Sequence, residues 1–163
     1  MLIRPAVSGD LPALTRIYND AILHTTATFD LTPRTEAERR PWLEAHNTGN
    51  HPLLVAETDD AVVGYASLSE YRSKEAFAAT VELSIYVDEA FRRRGVATAL
   101  MSAILALARE DARTHAVVSV ITGGNEASTR LHRRFGFTFC GTVPEVGYKF
   151  GQYLGIDHWL LMV

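Results

Sequence analysis

The run Arg92-Arg93-Arg94-Gly95-Val96-Ala97 joins three guanidinium groups to a glycine and two small apolar residues, where a helical pattern begins. Those types in that order suit a phosphate group. The first N–H groups of a helix have no intrahelical partner, and the macrodipole places partial positive charge there. Gly95 lets the backbone approach a ligand closely, Ala97 keeps a neighbouring position small, and the arginines add charge to meet a polyanion. A solvated basic turn that merely joins strand to helix is the alternative reading. Other phosphate loops are excluded by spelling, since the chain has no GxxxxGK(S/T) and no GxGxxG opening a helix. HExxH, CxxC, an Asp-rich calcium loop and a GxSxG elbow are also missing. The histidines at 24, 46, 51, 115 and 158 show no ligand spacing, so no metal is assigned.

A strand must carry the chain into this loop. From Thr80 to Val87 the residues alternate, with Val81, Leu83, Ile85 and Val87 on one side and Glu82, Ser84 and Tyr86 on the other. A helix leaves the loop, its buried stripe marked by Ala97, Leu100, Met101, Ile104, Leu105 and Ala108. Upstream, Leu2 to Val7 reads as a strand, with Pro5 best tolerated on an edge. Asp10 caps a helix to about His24, residues 25–34 form a loop, and Thr35 with Glu38 opens a helix to about His46. Leu53–Thr58 and Val62–Tyr71 make a hairpin across Asp59-Asp60. Downstream come a strand from His115 to Ile121, a helix from Asn125 to about Phe135 ended by Gly136, and strands at 137–143 and 157–163. Cys140 falls in an apolar strand context and reads as core. The expected fold is α+β (mixed α/β), with a sheet of about six or seven strands.

The length of 163 residues fits one domain over 1–163. Hydrophobic residues at 47% and charged residues at 21% exclude a disordered chain, a collagen-like repeat and a coiled coil. Sixteen Lys+Arg against 19 Asp+Glu give a net charge of −3, which argues against a nucleic-acid partner. The single cysteine suits a reducing compartment, the N-terminus lacks a signal-peptide core, and Ala97–Ala108 is too short to span a membrane. A cytoplasmic protein with no membrane partner is expected.

Arg92-x-x-Gly95-x-Ala97 after an alternating strand resembles the acetyl-CoA pyrophosphate loop of the GNAT superfamily of N-acetyltransferases. Asn125-x-x-Ser128-x-x-Leu131-His132-x-x-Phe135-Gly136-Phe137 is similar to a second segment of that superfamily. Ile3-Arg4-Pro5-Ala6, Thr28-Phe29-Asp30, Gly64-Tyr65-Ala66, Thr80-Val81-Glu82 and Gly147-Tyr148-Lys149-Phe150-Gly151 extend the likeness over nearly the whole chain. They resemble the group of phosphinothricin, methionine sulfone and methionine sulfoximine acetyltransferases. That resemblance implies a central, mostly antiparallel sheet flanked by about four helices. It also implies a homodimer, and acetyl transfer from acetyl-CoA to the α-amine of a small amino-acid analogue.

The resemblance also distributes roles. Glu82 takes the position of the general base that frees the amine for attack, and an ordinary strand glutamate is its other reading. Ile85, Tyr86 and Val87 match the backbone that bonds the pantetheine arm, about 10 Å beyond Glu82 at a strand's rise. Arg93, Arg94, Gly95, Val96, Ala97 and Thr98 would wrap the pyrophosphate, while Asn125 and Ser128 would touch the lower part of CoA. Asn125 reads equally as an N-cap. His132 replaces a tyrosine that protonates the departing thiolate in many members; a helix-surface histidine is the bland reading. The acceptor would meet Arg72, Lys74, Glu75, Ala76 and Phe77, with Arg72 and Lys74 pairing to its anionic groups. Glu75, Gly155, His158-Trp159 and the pair Gly123-Gly124 depart from the pattern. Acetylation of peptide N-termini or another amine is the runner-up, and a non-catalytic acyl-CoA sensor belongs to another class, which would have no need of Glu82.

Overall fold

The computed structural model describes all 163 residues. Its strands are β1 (Leu2–Pro5), β2 (Leu53–Thr58), β3 (Ala61–Glu70), β4 (Thr80–Val87), β5 (Ala116–Thr122), β6 (Thr138–Lys149) and β7 (Gln152–Met162). Its helices are α1 (Leu11–His24), α2 (Glu36–Glu44), α3 (Val96–Glu110) and α4 (Glu126–Arg134). One seven-stranded sheet runs in the order β1-β2-β3-β4-β5-β7-β6. Every neighbouring pair is antiparallel except β4 with β5. The mixed α/β architecture and the mostly antiparallel sheet are those expected from the sequence.

Two apolar clusters cover the two faces. Leu100, Met101, Ile104 and Leu105 of α3 pack on Val81 and Leu83 of β4 and on Val117 of β5. Leu11, Leu14 and Ile17 of α1, with Leu43 of α2, pack on Leu53, Val55 and Tyr65 of the opposite face. Helix α2 starts where its capping box demands: Thr35 Oγ1 accepts from the Glu38 N–H while the Glu38 carboxylate accepts from the Thr35 N–H. It ends at Glu44, two residues short of His46, because Asn47 turns to a left-handed φ of 57°.

The C-terminal hairpin departs most from expectation. Residues 144–156, read as outside any strand, belong almost entirely to β6 and β7, joined by Phe150-Gly151 with φ values of 51° and 73°. Positive φ at both central residues is the type I′ geometry that matches strand twist. Pro144, Gly147 and Gly155 break the alternation, and the ladder absorbs them through register shifts between Phe139/Gly141 and Val143/Gly147. Strand β6 lies on the sheet edge and is mostly exposed, so Cys140 is a free, exposed thiol rather than part of the core.

Candidate active site

The parallel pair β4–β5 holds for only three residues: Thr80 with Ala116, Val81 with Val117 and Glu82 with Val118. Beyond Glu82 the two strands part, although β4 stays paired to β3 as far as Val87 and β5 stays paired to β7 as far as Thr122. The inner edges of both are therefore bare. The Asp88 N–H points to Val63 of β3, and strand alternation then turns the peptide groups of Leu83, Ile85 and Val87 the other way. Consistent with this, the Val87 carbonyl accepts from Arg92 Nε at 3.3 Å. The gap opens into a cleft of about 1170 Å³.

At one end of the cleft the chain turns through Arg93 (φ 59°) and Gly95 (φ 83°) into α3. Gly95 is the N-cap and has no side chain to satisfy the amides that follow. The first intrahelical bond is Ala99 N–H to the Gly95 carbonyl, so the N–H groups from Arg93 to Thr98 are left without a well-formed partner in the chain. This is an anion-binding fan of donors at a helix start. Arg92 is held by the Val87 carbonyl and by Asp20 at 3.6 Å, while Arg93 and Arg94 are exposed.

The opposite wall comes from β5 and α4. Asn125 Oδ1 accepts from the Ser128 N–H at 3.2 Å, which makes Asn125 an N-cap; its amide nitrogen keeps its donors free. His132 is buried, not on the helix surface, at 4% exposure. Its Nδ1 lies 2.8 Å from the Ser128 carbonyl, which only accepts, so the proton is on Nδ1. Nε2 then accepts from the Ser119 hydroxyl at 2.8 Å. Burial lowers the ring's pKa, opposed by its bond to Ser128, which favours the neutral form. Ser119 is a cleft residue that nothing in the sequence pattern marks, because a serine inside an apolar strand carries no periodic signal.

The cleft thus gathers Ile85, Tyr86, Val87, Arg93, Gly95, Val96, Ala97, Thr98, Asn125, Ser128 and His132, while Arg94 stands just outside its wall. Residues 25–27 of the loop after α1 close one side; the Thr122 hydroxyl donates to the Thr26 carbonyl at 2.5 Å. Glu82 lies at the vertex where the strands part, half-buried, opposite Ser69 of β3. Burial alone raises its carboxyl above the ordinary value, and no hydrogen bond supports the charge. The residues at 72–77 are not in the cleft. They form the β3–β4 connection, where the Arg72 guanidinium lies 5.2 Å from the Tyr71 ring centroid and 5.7 Å from that of Phe77. Glu75, Ala76 and Phe77 make a 3-10 turn, and Lys74 and Glu75 are exposed. No three His, Cys, Asp or Glu side chains come together to hold a metal. No helix is long and apolar enough to cross a membrane.

Comparison with known proteins agrees with this geometry. Residues 14–137 match the acetyltransferase (GNAT) family. The chain is 42% identical over 155 residues to the L-methionine sulfoximine/L-methionine sulfone acetyltransferase of Pseudomonas paraeruginosa, covering 94% of this chain and 90% of that protein. Two solved structures superpose closely. A ribosomal-protein-alanine N-acetyltransferase from Brucella melitensis has a TM-score of 0.96, 41% identity and full coverage of both chains. A GNAT superfamily phosphinothricin acetyltransferase from Sinorhizobium meliloti, in complex with acetyl-CoA, has a TM-score of 0.94 at 31% identity, covering 99% of this chain and 88% of that one.

Proposed function

The chain belongs to the GNAT family of acetyltransferases, and from that premise we propose that it moves an acetyl group from acetyl-CoA to the α-amine of a small amino-acid analogue. The acceptor class is that of phosphinothricin, methionine sulfone and methionine sulfoximine, in keeping with the names of its relatives. One observation carries the reading: an unpartnered, half-buried Glu82 is the last paired residue before β4 and β5 part, next to a cleft lined by the following residues of β4 and ended by a fan of free amides.

In this mechanism the amides of Arg93 to Thr98 hold the pyrophosphate, and the bare edge of β4 pairs with the pantetheine arm. The thioester is thereby drawn toward Glu82. An α-amine is largely protonated near neutral pH, and Glu82 takes one ammonium proton to free its lone pair. The nitrogen attacks the thioester carbon, a C–N bond forms, and the oxyanion is met by β4 backbone N–H groups. Collapse breaks the C–S bond. The proton shed by the new amide nitrogen goes to the thiolate, and Glu82 returns its own to solvent. With its one proton bonded to Ser128 and Nε2 accepting from Ser119, His132 holds the cleft wall in this reading rather than acting as an acid. Arg72 and Lys74, on the β3–β4 connection, would pair with the acceptor's carboxylate and its sulfone or phosphinate oxygens.

A homodimer belongs to the same reading. Phe139, Val143, Val146, Tyr148, Phe150 and Tyr153 are exposed on the β6–β7 hairpin, an apolar surface on the sheet edge that a second copy would cover. The single exposed thiol, Cys140, is compatible with a cytoplasmic setting.

The test is CoA thiol release from acetyl-CoA against phosphinothricin, methionine sulfone, methionine sulfoximine, ordinary amino acids and short peptides. Saturable turnover of the sulfur or phosphorus analogues is expected. Silence on those with turnover of alanine-initiated peptides would move the chain to the activity named for its Brucella neighbour.

A further inference from the structure

Glu82 and Ser69 face each other across the β3–β4 ladder. By the alternation set at Asp88 they form a hydrogen-bonded pair, so their Cα atoms are about 5.5 Å apart and both side chains rise from the same face. The two side chains are thus cross-strand neighbours, yet no hydrogen bond joins them, and the Ser69 hydroxyl is turned to another partner. His46, just past the end of α2 and buried, has Nδ1 2.6 Å from the Trp42 carbonyl, which can only accept; the ring proton is therefore on Nδ1. Nε2 is left as an acceptor, 2.9 Å from Ser69 Oγ, and the serine proton points at it. The Trp42 indole lies 4.7 Å from the His46 ring between centroids and fixes its plane.

We propose that His46 is a positioning residue for the reaction: by taking the Ser69 proton, it denies Glu82 the hydroxyl set opposite it and so keeps that carboxylate an effective base. The proposal rests on Glu82 being the base. Other titratable or charged groups around the pair are His51, whose charge acts on His46, Arg39 of α2, Tyr18 of α1, Tyr65 of β3, Tyr86 of β4 and His158 of β7, with Arg72, Lys74 and Glu75 on the connecting turn. None of them bonds Glu82. Arg39 is stacked at 3.7 Å on Trp42 and 4.4 Å on Tyr18, its Nη2 directed at the Tyr65 hydroxyl at 3.4 Å. Burial lowers the His46 pKa, opposed by its bond to Trp42, in keeping with a neutral ring.

The experiment is a set of kcat/KM profiles against pH. His46→Phe keeps a ring in place but accepts nothing, which frees the Ser69 hydroxyl to donate to Glu82. The acid limb should then move down by about one pH unit, roughly what one hydrogen bond to the charged form gives a carboxylate. KM should change little. Adding His46→Phe to Ser69→Ala should move nothing, since no hydroxyl remains to be freed. An unmoved limb in His46→Phe, or an equal shift in the double variant, overturns the proposal. Glu82→Gln separates the two layers. If the limb survives there, the base assignment has failed. If it vanishes there while His46→Phe leaves it in place, only the part given to His46 has failed. Should His46→Phe fold poorly, 15N shifts of His46 in the unaltered protein serve instead. A neutral Nδ1–H ring near neutral pH is expected, and a protonated ring or the other tautomer there overturns the proposal.

Discussion

Replacing Glu82 by Gln removes a negative charge without breaking a hydrogen bond, because none ends on the carboxylate. Its effect on rate is therefore a clean measure of base catalysis. A positioned base contributes about 10²–10⁴-fold, or about 2.7–5.4 kcal/mol of activation free energy. The loss should fall on kcat, with acetyl-CoA affinity kept within roughly twofold, because a group that acts only in the transition state adds nothing to ground-state binding. Stopped assays of thiol release across pH supply a second check. As pH rises, the neutral fraction of the amine grows about tenfold per unit below its own pKa, so the deficit should narrow in step. Stability gives a third. Burial raises the Glu82 carboxyl in the fold, so the stability it contributes is full below the ordinary carboxylate value of 4.5 and is lost as pH rises through the raised folded value. Glutamine has no such loss. The variant should melt above the parent at neutral pH, with the gap closing on acidification. Equal kcat in both proteins across the range would remove Glu82 from the mechanism, and identical melting at every pH would refute its desolvation.

The remaining expectations are simpler. Gly95→Val places a β-branched residue at φ 83°, a left-handed conformation that costs a side chain about 1–2 kcal/mol. No protein atom lies within 4 Å of the new Cβ, so the loop's amide fan bears the change. Acetyl-CoA should bind about tenfold more weakly by calorimetry, and an unchanged Kd would sink the loop assignment. His132→Phe strands the buried Ser119 hydroxyl at about 1–3 kcal/mol, so melting should fall clearly. Its kcat should drop less than about tenfold; a loss of 10²–10⁴ in a folded protein would restore His132 as the proton donor. Val146→Asp with Tyr153→Lys should shift sedimentation from dimer to monomer, and a monomeric parent at micromolar concentration would refute the dimer.

Sequence periodicity reached the site wherever apolar residues mark a face. Val81, Leu83, Ile85 and Val87 place β4, and the α3 stripe places the loop between them. Nothing in those runs announces that β4 and β5 part after Glu82. Parallel pairing is a relation between residues about 36 positions apart, and both strands read as fully paired. The histidines show a second limit. His132 and His46 look like surface residues, because a buried polar ring betrays itself only through partners such as Ser119, Ser128, Ser69 and Trp42 that lie elsewhere in the chain or on the backbone. The β6–β7 hairpin fails for the reverse reason. Its apolar residues are exposed and interrupted by register shifts, so burial imposes no alternation to read.

Parting the strands has a cost, since the peptide groups of Ile85 and Val87 give up ladder partners that a few more residues of pairing would supply. The loop after α1 bears on this. Its residues 25–27 stand at the open side of the gap, and several anchors keep them there. Thr26 is tied to β5 by the Thr122 hydroxyl, Thr28 to the Tyr18 hydroxyl at 3.1 Å, and the Thr28 carbonyl to Lys149 Nζ at 2.8 Å. The Phe29 ring lies so close to Gly147 that a Cβ there would sit 2.2 Å from it. A loop fastened to α1, β5 and β6 works as a wedge, and the sheet cannot zip shut without breaking those bonds. In the proposed reaction the pantetheine amides take the place of the missing strand. The donors and acceptors left bare by the wedge then become binding groups, aligned on the same strand as the base they serve.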